Sequence, residues 1–536
     1  MNTELYINNE KNKFRKYILA KEEGEYKIKI KFNINLTNCS NMFRQCENII
    51  NIDFISFNTK LIASMKYMFY YCKNLKNINL SLFDTQNVKD MSWMFTFCKN
   101  LKDLDLTSFD TEKVIDMSGM FSYCYNLSML DLTSFKTENV TNMTEMFSFC
   151  GNLSNISINN FCTKNATNMS KLFYGCKKIK EFNLSFFDTE KTLDMSEMFS
   201  YCKEAENLNL SSFKTKNVTD MNKMFSFCKD LTNLDLSSFD TQNIKNMSNM
   251  FEGCENLINL DLFSFNTKNV CDMNKMFKGC ENLNSLNISA FNTEKTSNMS
   301  EMFYNCKKLE NLDLSSFETK NVVNMSYMFC NCYNFKILDL SSFNSTQVAD
   351  VSGVFCGCGG LIDLNISSFN ARKVTLMNKM FFNCFNLTDL NISSFNAKNI
   401  IDINEMFYNC NKLTKLDLSS FDTKNVINMN NMFYECKNLI SLDLSSFDTQ
   451  NVTDLSSMFY DCQSLESLNL SNFDTKKVSN MSWMFFNCKN LNSLDLSFFD
   501  TENVININGI FKDCKNLLSS HFEIFKNFDI NDILGE

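Results

Sequence analysis

The stretch Asp90-Met91-Ser92-Trp93-Met94-Phe95-Thr96-Phe97-Cys98-Lys99-Asn100-Leu101-Lys102-Asp103-Leu104-Asp105-Leu106-Thr107-Ser108-Phe109-Asp110-Thr111 carries two apolar periods in succession. Met91, Met94, Phe95 and Cys98 fall at i, i+3, i+4 and i+7, the spacing of one face of a helical turn. Asp90 stands ahead of them as an N-cap, a short side chain able to accept from the first free backbone N–H groups. Leu104-Asp105-Leu106 then alternates apolar and polar, the period of a strand. Phe109 follows, Asp110-Thr111 has the side chains of a turn, and Val114 returns the chain to the core.

The same stretch recurs along the chain. Cysteines stand every 26 residues from Cys46 to Cys514, marking 19 units without an insertion or deletion. A Phe lies three residues before each ladder cysteine, from Phe43 to Phe511, and another eleven after it, from Phe57 to Phe525. Methionine dominates the positions four and seven before the cysteine. The capping column is Asp or Asn in 17 of the 19 units, with Ser64 and Leu376 in the others. One unit has too little apolar surface to fold alone, but stacked on its copies it buries a continuous column. The expected architecture is an α/β repeat solenoid, leucine-rich-repeat-like, with one short parallel strand plus one short helical turn per 26-residue unit.

The expected organisation is an N-terminal region 1–37, a solenoid 38–525 and a C-terminal tail 526–536. Residues 26–36 alternate Tyr, Ile, Phe and Leu with Lys and Asn, and read as a strand capping the first coil. At the other end Ser520 and Phe522 replace the two strand leucines beside His521, a degenerate unit that reads as a cap. Gly353, Gly357, Gly359 and Gly360 fall in one unit, the expected weak joint of the stack.

Composition excludes several functions. The 536 residues carry a formal net charge of −9, and a nucleic-acid binder needs a concentrated basic face instead. Hydrophobic residues make up 44 %, enough for a large core. His521 is the only histidine, so neither a His-based triad nor a multi-His metal site is available. No Gly-rich phosphate loop is present, and no cofactor or catalytic residue is expected. No run approaches 18 apolar residues, so no membrane-spanning helix is expected. The first 36 residues lack the apolar core of a secretory signal, so a cytoplasmic location is the expectation for the sequence as it stands.

Two constellations invite a chemical reading. The ladder thiols read as small buried hydrophobes. Cys330 and Cys332, repeated one unit on as Cys356 and Cys358, would be gathered by stacking, which leaves a cross-repeat disulfide or a soft-metal site open beside the structural reading. The strand column is the better functional surface: ten Asp, seven Asn and one Ser project away from the core. Its carboxylates Asp105, Asp131, Asp235, Asp261, Asp313, Asp339, Asp417, Asp443 and Asp495 form the candidate binding face. The competing reading is an Asn/Asp hydrogen-bond ladder that solvates the sheet. Trp93 and Trp483, at a variable position of the helical turn, are expected on the opposite, convex side.

Leu101-x-x-Leu104-x-Leu106 matches the strand core of leucine-rich repeats. The fuller pattern, with its Asp/Asn-Met-Ser-x-Met-Phe-x-x-Cys start and its Ser-Phe-Asp-Thr turn, closely resembles the 26-residue bacterial surface-protein repeat of the BspA-like leucine-rich repeat proteins, over about residues 38–525. The resemblance implies a surface protein that adheres to another protein or to a matrix or host component. The expected function is therefore a non-enzymatic, monomeric protein–protein interaction or adhesion module at the cell surface, acting through the polar Asp/Asn/Ser strand face. An intracellular scaffold using the same face is the alternative.

Overall fold

The computed structural model describes residues 3–13, 22–517 and 524–535; Ser520, His521 and Phe522 lie outside the described residues. The chain forms two compact units, Met1–Asn168 and Met169–Glu536. Each is a parallel β-solenoid in which one 26-residue repeat makes one coil.

In the first unit β1 (Thr3–Ile7) pairs antiparallel with both β2 (Glu10–Asn12) and β3 (Ile28–Phe32), which occupies part of the stretch read as a strand. This small sheet buries Leu5 and brings Phe32 against Phe57 of the first coil, ring centroids 6.1 Å apart. The coil strands follow, β4 (Asn51–Asp53) beside β5 (Asn77–Asn79) and β6 (Met129–Asp131) beside β7 (Asn155–Ser157). In the second unit the same position pairs Leu260 with Leu286 and Leu468 with Leu494. Every pairing between coil strands joins residues 26 apart, so register equals repeat length. The middle residue of each triplet points inward and its neighbours outward, as the pleat requires.

The helical turn expected in every unit is not there. The described α-helix is α1 (Ile530–Leu534), capped by Asp529, and it belongs to no repeat. In place of a helix each coil makes two tandem β-turns. Met94 N donates to Met91 O at 3.3 Å and Cys98 N to Phe95 O at 3.0 Å, each closing a four-residue turn. The third residue of each turn is left-handed, Trp93 at φ 61° and Phe97 at φ 62°, as a type II turn demands. All 19 units repeat this at both positions, one and five residues before the ladder cysteine. The turns leave alternate N–H groups free to point at the next coil. Met91, Trp93, Phe95 and Phe97 donate to the carbonyls of Asp116, Ser118, Met120 and Ser122 at 2.7–3.0 Å. A helix would spend those groups on itself. Corners of successive turns also fall at i, i+3, i+4 and i+7, which is why the apolar spacing imitates a helix.

The capping column keeps its chemistry in a different setting. Asp90 Oδ1 accepts from Ser92 N at 2.9 Å, closing an Asx-turn, while its backbone bridges Ser64 and Asp116 in a second parallel ladder. A buried threonine column ties the other corner. Thr267 Oγ1 donates to Asn292 O at 2.8 Å and accepts from Asn292 N at 2.8 Å in the next coil. Where Ala371 and Ala397 replace that threonine, the backbone substitutes: Ala371 N donates to Phe395 O at 2.7 Å and Asn396 turns left-handed at φ 40°.

Inside, Phe199, Phe225, Phe251, Phe277 and Phe303 stack with centroids 5.5–5.9 Å apart and planes within 10°. The ladder cysteines are buried beside them, except half-buried Cys46 and Cys514 in end coils. Their thiols are donors as well as fillers: Cys254 Sγ donates to Phe225 O and Cys280 Sγ to Phe251 O, at 3.1 and 3.2 Å. Burial pushes these thiols up, Cys150 to about 12. In the glycine-rich unit Gly353 and Gly357 occupy the two left-handed positions, where glycine avoids the roughly 1–2 kcal/mol that a side chain costs. That unit is therefore the least strained at its turns, a physical reason against reading it as a weak joint.

Phe251→Ala should destabilise the second unit by about 3–5 kcal/mol, as loss of a fully buried aromatic does. Coupling runs mainly between adjacent coils, so amide protection should fall first in coils next to Phe251. Uniform loss of protection across the unit would contradict this.

Candidate interaction surface

Each coil strand presents its outward residues in two neighbouring columns, one Asp or Asn and the next mostly Ser or Thr. All nine carboxylates of the candidate face are exposed: Asp105, Asp131, Asp235, Asp261, Asp313, Asp339, Asp417, Asp443 and Asp495. Asp131, Asp261, Asp339 and Asp495 lie in coil strands, whereas Asp105, Asp235, Asp313, Asp417 and Asp443 hold the equivalent outward position where no strand reaches them, so the strand expected at Leu104-Asp105-Leu106 is not formed. Several stand in adjacent coils, such as Asp235 beside Asp261 and Asp417 beside Asp443. Stacked like charges repel, and Asp417 makes Asp443 harder to ionise, though only as a minor influence.

Every one of the nine also holds its own backbone. Asp105 Oδ1 accepts from Thr107 N at 3.0 Å and from Thr107 Oγ1 at 2.7 Å, and Asp131 does the same with Thr133. Asp235, Asp313, Asp339, Asp417, Asp443 and Asp495 accept from the N–H two residues on, at 2.9–3.0 Å. Asp261 accepts from Phe263 N at 3.0 Å and from Asn287 Nδ2 of the next coil at 2.9 Å. The carboxylate thus closes the Asx-turn by which the chain leaves the strand. Asn at this position does likewise, Asn209 Oδ1 accepting from Ser211 N at 3.2 Å. Hydrogen bonding, not burial, holds eight of these carboxyls below the usual range. The backbone N–H dominates for Asp105, Asp131, Asp235, Asp339, Asp443 and Asp495, and the serine hydroxyl for Asp313 and Asp417.

Two other outward columns escaped the sequence reading. Beyond the threonine corner, Asn139 and Asn243 donate to backbone carbonyls of the preceding coil at 2.8 Å, and Lys113 Nζ reaches Asn87 Oδ1 at 2.8 Å. In the second unit Phe382, Tyr408, Tyr434, Tyr460 and Phe486 stack as a half-buried stripe, centroids 4.3–4.6 Å apart. The signal was available: all five stand two residues before a ladder cysteine. Trp93 and Trp483 are half-buried in left-handed turn positions, each folded over a glycine of the next coil, Gly119 and Gly509. Added Cβ atoms there would strike the indoles, so both tryptophans pack against their own chain.

The four-cysteine cluster does not assemble. Cys332 and Cys358 turn inward and donate to Phe303 O and Phe329 O at 3.0 and 3.1 Å. Cys330 and Cys356 stand outside this inward column, one coil apart, and each is the largest influence on the other's ionisation. Among the described residues no group of three or more His, Cys, Asp or Glu is placed to hold a metal ion, and no helix is long and apolar enough to cross a membrane.

Asp235, Asp313, Asp339 and Asp443 titrate lower in the folded chain than in the unfolded one, where Asp lies near 3.9. Their contribution to stability is complete above about pH 4 and is lost as pH falls through the folded values. Acid unfolding of a variant with Asp235, Asp313, Asp339 and Asp443 changed to Asn should therefore depend less steeply on pH below about 4. An unchanged slope would show that these turns do not hold the ionised form.

The family pattern described as "Mycoplasma protein of unknown function, DUF285" matches residues 37–157, 145–259, 226–338, 255–361, 331–441 and 437–533. No curated protein matches the chain. Among solved structures, a leucine-rich repeat protein from Bacteroides ovatus is 17 % identical, covers 67 % of this chain and 82 % of its own, and aligns with a TM-score of 0.36. A leucine-rich cell surface protein from Faecalibacterium prausnitzii is 16 % identical, with 57 % and 77 % covered and a TM-score of 0.33. A leucine-rich repeat protein from Leptospira interrogans is 16 % identical, with 78 % and 89 % covered and a TM-score of 0.23. Matched by successive overlapping copies across almost its whole length, the chain belongs to the family described as Mycoplasma protein of unknown function, DUF285.

Proposed function

We propose that this chain is a non-enzymatic interaction protein that binds a basic macromolecular partner along its polar strand face, as a BspA-like surface adhesin would. The observation that supports the reading is the repetition of exposed carboxylates with lowered pKa, each fixed in orientation by its own turn. Such a carboxylate is anchored through one oxygen by its own turn and stays ionised further into the acid range than a free one. These carboxylates recur mostly as pairs one coil apart, about 4.8 Å, such as Asp235 with Asp261 and Asp313 with Asp339, with Asn or Ser between the pairs. An extended, preoriented anionic strip of this kind favours a partner with several cationic groups in line and gains on-rate from electrostatic steering. Ser and Thr alongside, such as Thr107, Ser237 and Ser445, add hydroxyl donors to the strip. The same strip would serve an intracellular scaffold, and localisation of a tagged chain separates the two settings.

Changing Asp235, Asp261, Asp313 and Asp339 to Asn tests the strip. The fold should survive, since Asn already closes this turn in neighbouring coils. Capture of a basic partner by the intact chain should weaken, and its dependence on salt should flatten, because exposed charge pairs are screened. Undiminished capture at low salt by a folded variant would remove the strand face from consideration.

A further inference from the structure

Twenty-four cysteines stand in this chain, yet one pair is placed unlike the rest. Most ladder thiols lean the same way, donating to the carbonyl of the Phe 29 residues earlier, as Cys306, Cys332, Cys358 and Cys384 do at 3.0–3.2 Å. Their protons are committed and their side chains run parallel, a poor geometry for bridging. Cys330 and Cys356 stand two residues before ladder cysteines, in the outward column that continues into the ring stripe at Phe382. Adjacent coils are locked in register here, with Asn305 N donating to Cys330 O at 2.8 Å and Asn331 N to Cys356 O at 2.7 Å. The two residues lie one coil apart in the same column, and the largest influence on the ionisation of each thiol is the other thiol. Cys330 is buried, whereas Cys356 is half-buried.

The surroundings suit an exchange reaction. The left-handed positions flanking Cys356 are Gly353 and Gly357, and Tyr327 and Asn331 of the preceding coil fold onto them, where a Cβ would collide. No side chain of its own coil therefore crowds Cys356 at those positions. The neighbouring Cys330 thiol and the Lys379 ammonium lower the pKa of the Cys356 thiol against burial and the Glu405 carboxylate, whereas the Cys356 thiol and burial raise that of Cys330.

We propose that Cys330 and Cys356 are a redox-active dithiol that closes into a cross-coil disulfide by exchange with a low-molecular-weight disulfide. The Cys356 thiolate attacks one sulfur of the disulfide RS–SR and expels RS⁻, leaving a mixed disulfide on Cys356. Cys330 then gives up its proton and attacks Cys356 Sγ, expelling the second RS⁻. Two protein thiols and RS–SR become one protein disulfide and two RSH. The product staples two consecutive coils and is reversed by excess thiol.

The test incubates the native chain with hydroxyethyl disulfide, alkylates the remaining thiols and maps the fragments by mass. The expected product is a fragment linking Cys330 to Cys356, lost on reduction. Exposed Cys271, flanked in its column by Lys245 and Ser297, should instead stop at the mixed disulfide and serves as internal control. Cys330→Ser should trap the mixed disulfide on Cys356, and Cys356→Ser should leave Cys330 reacting at least about tenfold more slowly. Both variants should fold, because serine already fills this column at Ser200 and Ser226. Cys488 and Cys514 also touch, but their protons are held by Phe459 O and Phe485 O, and no link between them is expected. A stable mixed disulfide on Cys356 in the unaltered chain, equal reactivity of the two cysteines, or a Cys488–Cys514 link in place of the expected one would overturn the proposal.

Discussion

Hydrogen bonds between the main chains of successive coils constrain everything else in this protein. At the tandem turns, alternate N–H groups of one coil meet alternate carbonyls of the next, and the strand and the Asp/Asn bridge do the same on other sides. A buried backbone group without a partner is costly, so each coil must present the same geometry as its neighbour. The left-handed residues follow from this demand. Only by closing two type II turns can the chain bend sharply and still aim its free N–H groups along the stack. Thirty-one of these 38 positions carry side chains despite the strain, which the inter-coil bonds and side-chain stacking offset.

The side chains that support this scheme do so by bonding across coils too. Thr267 holds both polar groups of Asn292, and Asn243 reaches a carbonyl of the coil before it. The cysteine column belongs with them. An alanine would fill less space and a valine would lack a donor, whereas the thiol fits beside the phenylalanine stack and satisfies a carbonyl.

Much of this was readable in the sequence because burial imposes period on composition. The repeat length, the Phe and Met columns and the inward Leu of each strand follow from apolar spacing alone. The helical turn was misread because spacing cannot tell a helix face from the corners of consecutive turns. The usual marker of a type II turn, glycine at its third position, is present at Gly119 but replaced by Trp93, Phe97 or Lys223 elsewhere, so conformational strain hid the signal. On the candidate face, alternation correctly put Asp105 and Asp443 outside. What alternation could not convey was that each carboxylate closes a turn, because an Asx bond depends on where the backbone N–H of the next residue but one points. The Cys330–Cys356 contact was legible as a spacing, but its separation from inward-facing Cys332 and Cys358 required knowing which way each thiol turns.

At the far end of the second unit, the free N–H groups of Gly509 and Phe511 are taken by carbonyls of Asp532 and Ile533 from α1. A short helix there offers acceptors to groups that elsewhere meet another coil. Each coil therefore behaves as an interchangeable tile: donors on one rim, acceptors on the other, and a separate stopper for the last rim. In-frame duplication or deletion of a whole tile would preserve every partnership and lengthen or shorten the outer strip by one pitch. Loss of a single residue would misalign three ladders together. Selection on array length can thus act on reach alone, with the chemistry of the tile held constant.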